Sequence, residues 1–453
     1  MASPPTVLFR LCIACVLSHG LNVAFDNSVV GQSSLDQIVV RNAQRDGIQL
    51  TEAVSDDQYL RRASLDLIGR IPTPDEQAAF ASDPDRRQLI ERLVRDPNHA
   101  LFWSRMWTDI LIGYGDRREV DRESLRQWLA DRIANDLPWN STVSELISSS
   151  GRGAFHGPAN FMLRHLSDPV VPVARLFLGV QLDCARCHDH PSDRWTEEVY
   201  RNMHRFFAAT QSSEPVPGTY LIGDRRPNRN EAPPRFLTGS RPRTSLWREE
   251  LALFVVNSRP FARSVAGRLW YQFFGHVPGG SPDNVNARNA HDCSELIECV
   301  ADHLRDDDFR WRSLIREICL SEAYRRRVSS TDPDWPLIPT VKPLTADQLY
   351  DSSMIVFDGD AWPSISRSEL VSQMVAGSRE QAIGDPWKVR EPLQSLMSRL
   401  SIDMRATNSS VDDVFRRVLC REPTDAERKL ARDCGAEELM YALVFGNEFA
   451  FWH

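Results

Sequence analysis

Three times along this chain a Thr stands three residues before Glu or Gln at the start of a helical apolar pattern. The three are Thr73-Pro74-Asp75-Glu76, Thr345-Ala346-Asp347-Gln348 and Thr424-Asp425-Ala426-Glu427. A Thr hydroxyl so placed accepts from an open first-turn amide, and the acidic or amide side chain reaches back to the cap. Pro74 adds a residue suited to the first helical position. The intervening segments carry the matching period. Leu89, Ile90, Leu93 and Val94 share one face, and residues 101–112 are dense in Phe102, Trp103, Met106, Trp107, Ile110 and Leu111. That spacing belongs to amphipathic or buried helices, not to alternating strands, and the aromatic stripe reads as core. The expected fold is mainly α.

At 453 residues the chain is too long for one ordinary domain. Between residues 211 and 244, Pro215, Pro217, Gly218, Gly223, Pro227, Pro233, Pro234, Gly239 and Pro242 interrupt any helix, and Arg is frequent. The expectation is two helical domains, over residues 34–210 and 245–453, joined by a Pro/Gly/Arg-rich linker at 211–244. Residues 362–405 are poorly patterned. The net charge of -8 argues against a nucleic-acid surface, which carries a basic excess.

Arg10 precedes the apolar run Leu11-Cys-Ile-Ala-Cys-Val-Leu17, and Ser18, Gly20 and Ala24 offer small residues for cleavage. Residues 1–25 therefore read as a signal peptide, and the expected location is periplasmic or secreted. The run is too short and interrupted for a membrane span, so membrane association is expected only through the N-terminus. Of nine cysteines, Cys12 and Cys15 fall in that segment. Cys293, Cys299, Cys319, Cys420 and Cys434 are scattered, with Cys293–Cys299 and Cys420–Cys434 as local pairing options.

The segment that carries chemistry is Cys184-Ala-Arg-Cys187-His188. In a helical turn the two cysteines share a face, with His188 beside Cys184. Thiols so spaced can add to the two vinyl groups of one haem while the imidazole reaches the iron as proximal ligand. The expected cofactor is haem c, held by Cys184, Cys187 and His188. Met162, His165, Met203, His204, His190 and His156 are candidates for a sixth iron ligand. The alternatives are zinc on Cys184, Cys187, His188 and His190, or a dithiol redox pair or plain disulfide. Asp189 and Asp193 lie near Arg186 and Arg194, able to pair locally or to tune the imidazole. No Gly-rich phosphate loop, nucleophile elbow or HExxH occurs, and no catalytic residues are assigned.

Several segments together resemble the planctomycete cytochrome-c-associated family of unknown function, a PSCyt-type domain followed by a PSD-type domain. They are YLRRASLDLIGRIPTPDE at 59–76, FLGVQLDCARCHDHP at 177–191, DRWT at 193–196 and the helix at 200–207. In the second half they are PRFLTG at 234–239, residues 257–263, Arg268-Leu-Trp270, REPTDAE at 421–427 and the closing 447–453. Gly267 stands where the family usually shows Asn, and residues 279–289 form an unusual version of its loop. The resemblance implies an exported protein with a protein partner in a periplasmic complex, the partner often of sulfatase-like or hydrolase-like ancestry, and brings no established activity. The expected role is haem c electron transfer or redox partnership. The alternatives are a non-redox periplasmic scaffold whose CxxCH is a zinc or disulfide site, and an accessory of polysaccharide or sulfatase-type hydrolysis.

Overall fold

Each Thr-led cap starts a helix. Thr73 accepts from the Glu76 amide at 3.2 Å and Glu76 accepts from the Thr73 amide at 2.8 Å, opening the helix Pro74–Ser82. The same reciprocal pair opens Ala346–Val356 at Thr345 and Asp425–Ala431 at Thr424. Ser55 with Gln58 and Ser410 with Asp413 form two more boxes, which a search for Thr followed by Glu or Gln passes over. The structure is a computed structural model that describes residues 33–114, 117–228, 230–278, 280–286, 294–328, 335–357, 367, 410–444 and 446–452. Residues 1–25, which read as a signal peptide, Cys293 and, apart from residue 367, the poorly patterned 362–405 lie outside them. Among the described residues there are 20 helices and only short strands, so the fold is mainly α. None of the helices is long and apolar enough to cross a membrane.

The stripe at 101–112 is core, as its spacing implies. Trp103 and Trp107 are buried and meet Trp139 and Trp311, with ring centroids 4.3–5.7 Å apart. The helix Asp56–Ile68 is buried at every residue from Tyr59 to Ile68, polar ones included. Buried polar groups must find partners, and these find theirs far along the chain. Tyr59 donates to the Cys319 carbonyl at 2.8 Å, and Arg62 donates to the carbonyls of Tyr324 and Arg326. Asp66 accepts from Tyr324 at 2.7 Å and from Lys342 at 2.8 Å. One hydrophobic core runs from Leu35 to Ala450, and the described residues form a single compact unit.

The stretch that reads as linker contains an antiparallel hairpin, Thr210–Val216 with Thr219–Asp224, to which Gly151–Arg152 adds a third strand. Its sequence hides it. The first strand is exposed along nearly its whole length, so no alternation of apolar and polar residues is required of it. A long-range contact anchors the hairpin instead. The buried Arg248 pairs with Asp224 and donates to Ser149 and Ser150.

The helix Val170–Leu178 carries the chain toward the CxxCH segment. It ends at Gly179, whose φ of 55° is the left-handed conformation that closes many helices. A Cβ there would meet Val285 at 2.6 Å. The carbonyls at this helix end are taken by the second half of the chain. Arg268 donates to Arg175 and Leu176 at 3.0 Å each, and Asn286 donates to Leu178 at 2.8 Å and, through its amide, to Gly179 at 3.0 Å. Arg268 is held in turn by Asp283 at 2.7 Å, both side chains buried. Gly267 packs in the same place, where a Cβ would come within 3.2 Å of Val277 and 3.3 Å of Val285.

Candidate functional site

After Gly179 the chain stays anchored by the buried Val180 and Leu182, and then forms a single 3-10 turn at Cys184–Arg186. The amides of Cys187 and His188 both donate to the Cys184 carbonyl at 3.3 Å. Ala185 is fully buried, so this turn faces inward at Ala185 and outward at Cys184, Cys187 and His188, which are exposed. In a 3-10 turn side chains at i and i+3 eclipse, so Cys184 and Cys187 share a side. Both are free thiols.

The loop that follows is tied back to the body. His190 donates its amide to the Trp195 carbonyl at 2.8 Å, and Trp195 is buried. Asp189 accepts from the Glu197 amide at 2.9 Å and Thr196 from the Val199 amide at 3.3 Å, so the two cap the helix Glu197–His204. Asp189 is thus a cap. Arg194 lies over the Trp195 ring at 4.6 Å.

The two loop histidines have opposite tautomers. His188 Nδ1 lies 2.8 Å from the Asp189 carbonyl oxygen. A carbonyl only accepts, so Nδ1 carries the proton and neutral His188 keeps a lone pair on Nε2, pointing to a ligand role. His190 Nδ1 instead accepts the amides of Ser192 at 3.2 Å and Asp193 at 3.0 Å. Its proton therefore sits on Nε2. Offering Nε2 to a metal would require moving that proton onto Nδ1, at the expense of both hydrogen bonds.

Arg186 turns away from Asp189 and Asp193. Its guanidinium meets Asp168 at 3.4 Å. A hydrogen bond to Cys187, and then the charge of Asp168, push Arg186 above its ordinary range. Tyr200 is buried close to Asp168. Burial, the charge of Asp168 and a hydrogen bond to it raise the phenol. Arg186 and Asp168 thus make an ion pair beside the turn. Arg186 and Asp168 also line a cavity of about 220 Å³ with His165, Arg175 and Asp183.

The candidates for a sixth iron ligand separate by burial. Met162 and Met203 are fully buried in the core, and His156 and His204 are exposed. His165 is buried and donates from Nε2 to the Leu111 carbonyl at 2.8 Å. Burial holds its imidazole down at about 3. Asp168 and Arg175 carry no sequence motif, and the spacing around CxxCH gives no sign of them. Only the corner between the helices Ala159–His165 and Val170–Leu178 brings them to the turn.

The donor set suits a c-type haem: two thiols on one side and an imidazole with a free Nε2. The surroundings do not. The adjoining cavity is small, about 220 Å³, and its only apolar side chains are Val171 and Pro172 beside four charged ones, whereas haem needs broad apolar surfaces against its ring. For zinc, no three His, Cys, Asp or Glu side chains among the described residues converge closely enough to hold a metal ion. Away from the turn, Cys299, Cys319, Cys420 and Cys434 are free, so Cys420 and Cys434 are not bridged.

Two family models match the chain in order. PSCyt2, protein of unknown function (DUF1549), covers residues 34–212, and PSD1, protein of unknown function (DUF1553), covers residues 247–363. The chain belongs to the two-domain PSCyt/PSD family of unknown function. The CxxCH turn lies in the PSCyt2 region, and Arg268, Asp283 and Asn286, which hold the helix leading to it, lie in the PSD1 region. No curated protein and no solved structure matches the chain.

Proposed function

We propose that this PSCyt/PSD protein is an exported redox protein whose working group is the pair Cys184 and Cys187, exchanging between dithiol and disulfide. One observation carries the reading. Both thiols are free and exposed, one opening a 3-10 turn and the other capping its end, with the cationic side chain of Arg186 between them in sequence. Thiol exchange needs an accessible sulfur in an electropositive setting with a second thiol in reach. Oxidising the pair forms one S–S bond and releases two electrons and two protons to an acceptor disulfide, which is reduced to two thiols. An exposed turn suits a protein partner as acceptor, and the apolar segment at 11–17 supports export.

A second reading rests on the His188 tautomer. With Nδ1–H committed to the Asp189 carbonyl, Nε2 is left as a ligand atom. Cys184 and Cys187 would then hold haem c through thioethers, with His188 on the iron. Haem bound there would supply one-electron transfer at its iron. Both readings are redox, and they differ in what occupies the two sulfurs.

The test is expression with a c-type maturation system, followed by a pyridine haemochrome spectrum, peroxidase staining on a denaturing gel, and thiol titration. The dithiol reading expects no haem band, and two thiols that are lost on oxidation, restored by reductant and absent from a Cys184→Ala, Cys187→Ala double variant. A haem band lost in Cys184→Ala would establish the second reading instead. Neither haem nor reversible thiols would end both.

A further inference from the structure

Lysine is scarce in this chain, and one of the few lies in the core. Of the 54 Lys and Arg residues, three are Lys, at 342, 388 and 429. Buried Arg248 and Arg268 answer Asp224 and Asp283, whereas Asp66 is answered by Lys342. The two cations differ in chemistry. A guanidinium keeps its proton, while a desolvated amine can lose one and become a nucleophile.

Four elements bring the groups together. Asp66 comes from the helix Asp56–Ile68, Tyr324 from Glu322–Arg325, Gln272 and Phe273 from Arg259–Phe274, and Lys342 from the strand Lys342–Pro343. Lys342 Nζ lies 2.8 Å from Asp66 Oδ1, 2.6 Å from the Gln272 carbonyl oxygen and 3.2 Å from that of Phe273. Carbonyls only accept, so an uncharged amine keeps its two N–H groups on Gln272 and Phe273 and turns its lone pair to the Asp66 carboxyl. Tyr324 donates to the other carboxyl oxygen, Oδ2, at 2.7 Å. The rings of Tyr59, Phe273 and Phe274 meet that of Tyr324 at 5.9–6.3 Å between centroids. A Cβ at Gly275 would come within 2.7 Å of the Lys342 stem, so the side chain is closely confined. Burial disfavours the ammonium and the carboxylate alike, and Arg62, over the Tyr324 ring at 5.6 Å, is a second cation in the same place.

We infer that Asp66 and Lys342 join in an isopeptide bond, a covalent link between the PSCyt2 and PSD1 regions made by the folded protein itself. One proton passes from Nζ to Oδ1 along their hydrogen bond, giving an amine and a carboxylic acid. Nζ attacks Cγ, and charge gathers on Oδ2, where Tyr324 donates to it. The Cγ–Oδ1 bond breaks as Oδ1 takes a second proton from Nζ and leaves as water. A C–N bond replaces a C–O bond, and nothing is oxidised or reduced. The two buried charges vanish together, which removes the cost of desolvating them. Confinement of both groups replaces the encounter that such a condensation otherwise needs. The inference is independent of the thiol chemistry at the CxxCH turn.

The experiment is mass spectrometry of the full-length protein, denatured, reduced and then digested with trypsin. The expected intact mass is lighter than the sequence by one water. The digest should contain a branched peptide joining segment 63–70 to segment 328–367, with the linear forms of both nearly gone. Lys342→Arg keeps a cation for Asp66 and offers no amine, so it should show the full mass of its own sequence and both linear peptides. Tyr324→Phe removes the donor to Oδ2 and should slow the step about a hundredfold, seen as linear peptides persisting in freshly made protein. A wild-type mass equal to the sequence, with 63–70 and 328–367 both linear, would overturn the inference. So would a missing water traced to a linear peptide, as a succinimide at Asp66 would give.

Discussion

A histidine's chemistry is decided by what its second nitrogen touches, and in this protein that is usually a backbone group. His188 and His165 each donate to a carbonyl, at Asp189 and Leu111, yet one is exposed and the other buried. The buried ones make stability depend on pH. Burial first of all holds His165 down at about 3 and His99, bonded to the Leu67 carbonyl, at about 4. In the unfolded chain both protonate below about 6.5. Between that pH and about 4 the unfolded state therefore binds more protons, so stability falls as pH falls, by up to about 1.4 kcal/mol per pH unit for each histidine. Glu76, whose carboxyl is held at about 2 chiefly by Arg70 against the cost of burial, loses its contribution only below the ordinary glutamate range. His303 works in the opposite sense. Its bond to Glu317 raises it, so its contribution is present at low pH and is lost as pH rises above 6.5. Replacing His165 by Gln keeps a donor for Leu111 and removes the titration. Urea unfolding at pH 7, 6, 5 and 4.5 should show a slope flatter by about one proton in the variant. An unchanged slope would mean that His165 does not resist protonation in the fold. The motif at 184–188 was legible from residue types alone. The tautomers were not, because they depend on carbonyls and amides that only the fold supplies.

Among elements, local grammar and long-range anchoring have different energetic weights. Thr73 and Glu76 announce their helix from the sequence because each contact spans three residues. Arg248 and the hairpin 210–224 announce nothing, since the contact with Asp224 spans 24 residues and the first strand buries almost nothing. The same contrast separates two substitutions. Thr73→Ala removes one cap and should lower stability by about 1 kcal/mol. Arg268→Met strands the buried Asp283 carboxylate and frees the carbonyls of Arg175 and Leu176, so it should cost about 3–5 kcal/mol. Urea midpoints for the two variants measure the difference, and similar losses would show that Arg268 is no stronger an anchor than a surface cap. Arg268 also fixes the end of the helix that leads to the CxxCH turn. Removing it should therefore speed alkylation of Cys184 and Cys187 by iodoacetamide under native conditions.

At the scale of the whole molecule, the sequence boundary between the PSCyt2 and PSD1 regions does not coincide with a gap in the core. Tyr59, Arg62, Leu65 and Asp66 belong to the first region, and their partners Cys319, Arg326, Gln348, Tyr324 and Lys342 lie in or next to the second. The Asp66–Lys342 pair is nearly inaccessible, with side chains 1% and 5% exposed. Burial pulls the Lys342 ammonium down while Asp66 draws it back up. Separating the regions would leave a carboxylate without its cation, the cost that makes half of a buried pair so destabilising. The proline, glycine and arginine of 225–242 look like a linker because, apart from the buried Pro234 and Phe236, the described chain there is exposed or half-buried and carries no repeating pattern. Composition reports local backbone freedom; it does not report which side chains meet across the fold. Protease cleavage within 225–242 should therefore leave two polypeptides that co-elute as one particle and unfold in a single urea transition. Produced as separate chains, neither piece should reach native-like helicity alone, and mixing them should restore it. Two fragments that elute apart and each keep a cooperative transition would show that the buried contacts of Asp66 and Arg62 are dispensable, and that the family boundary is also a folding boundary.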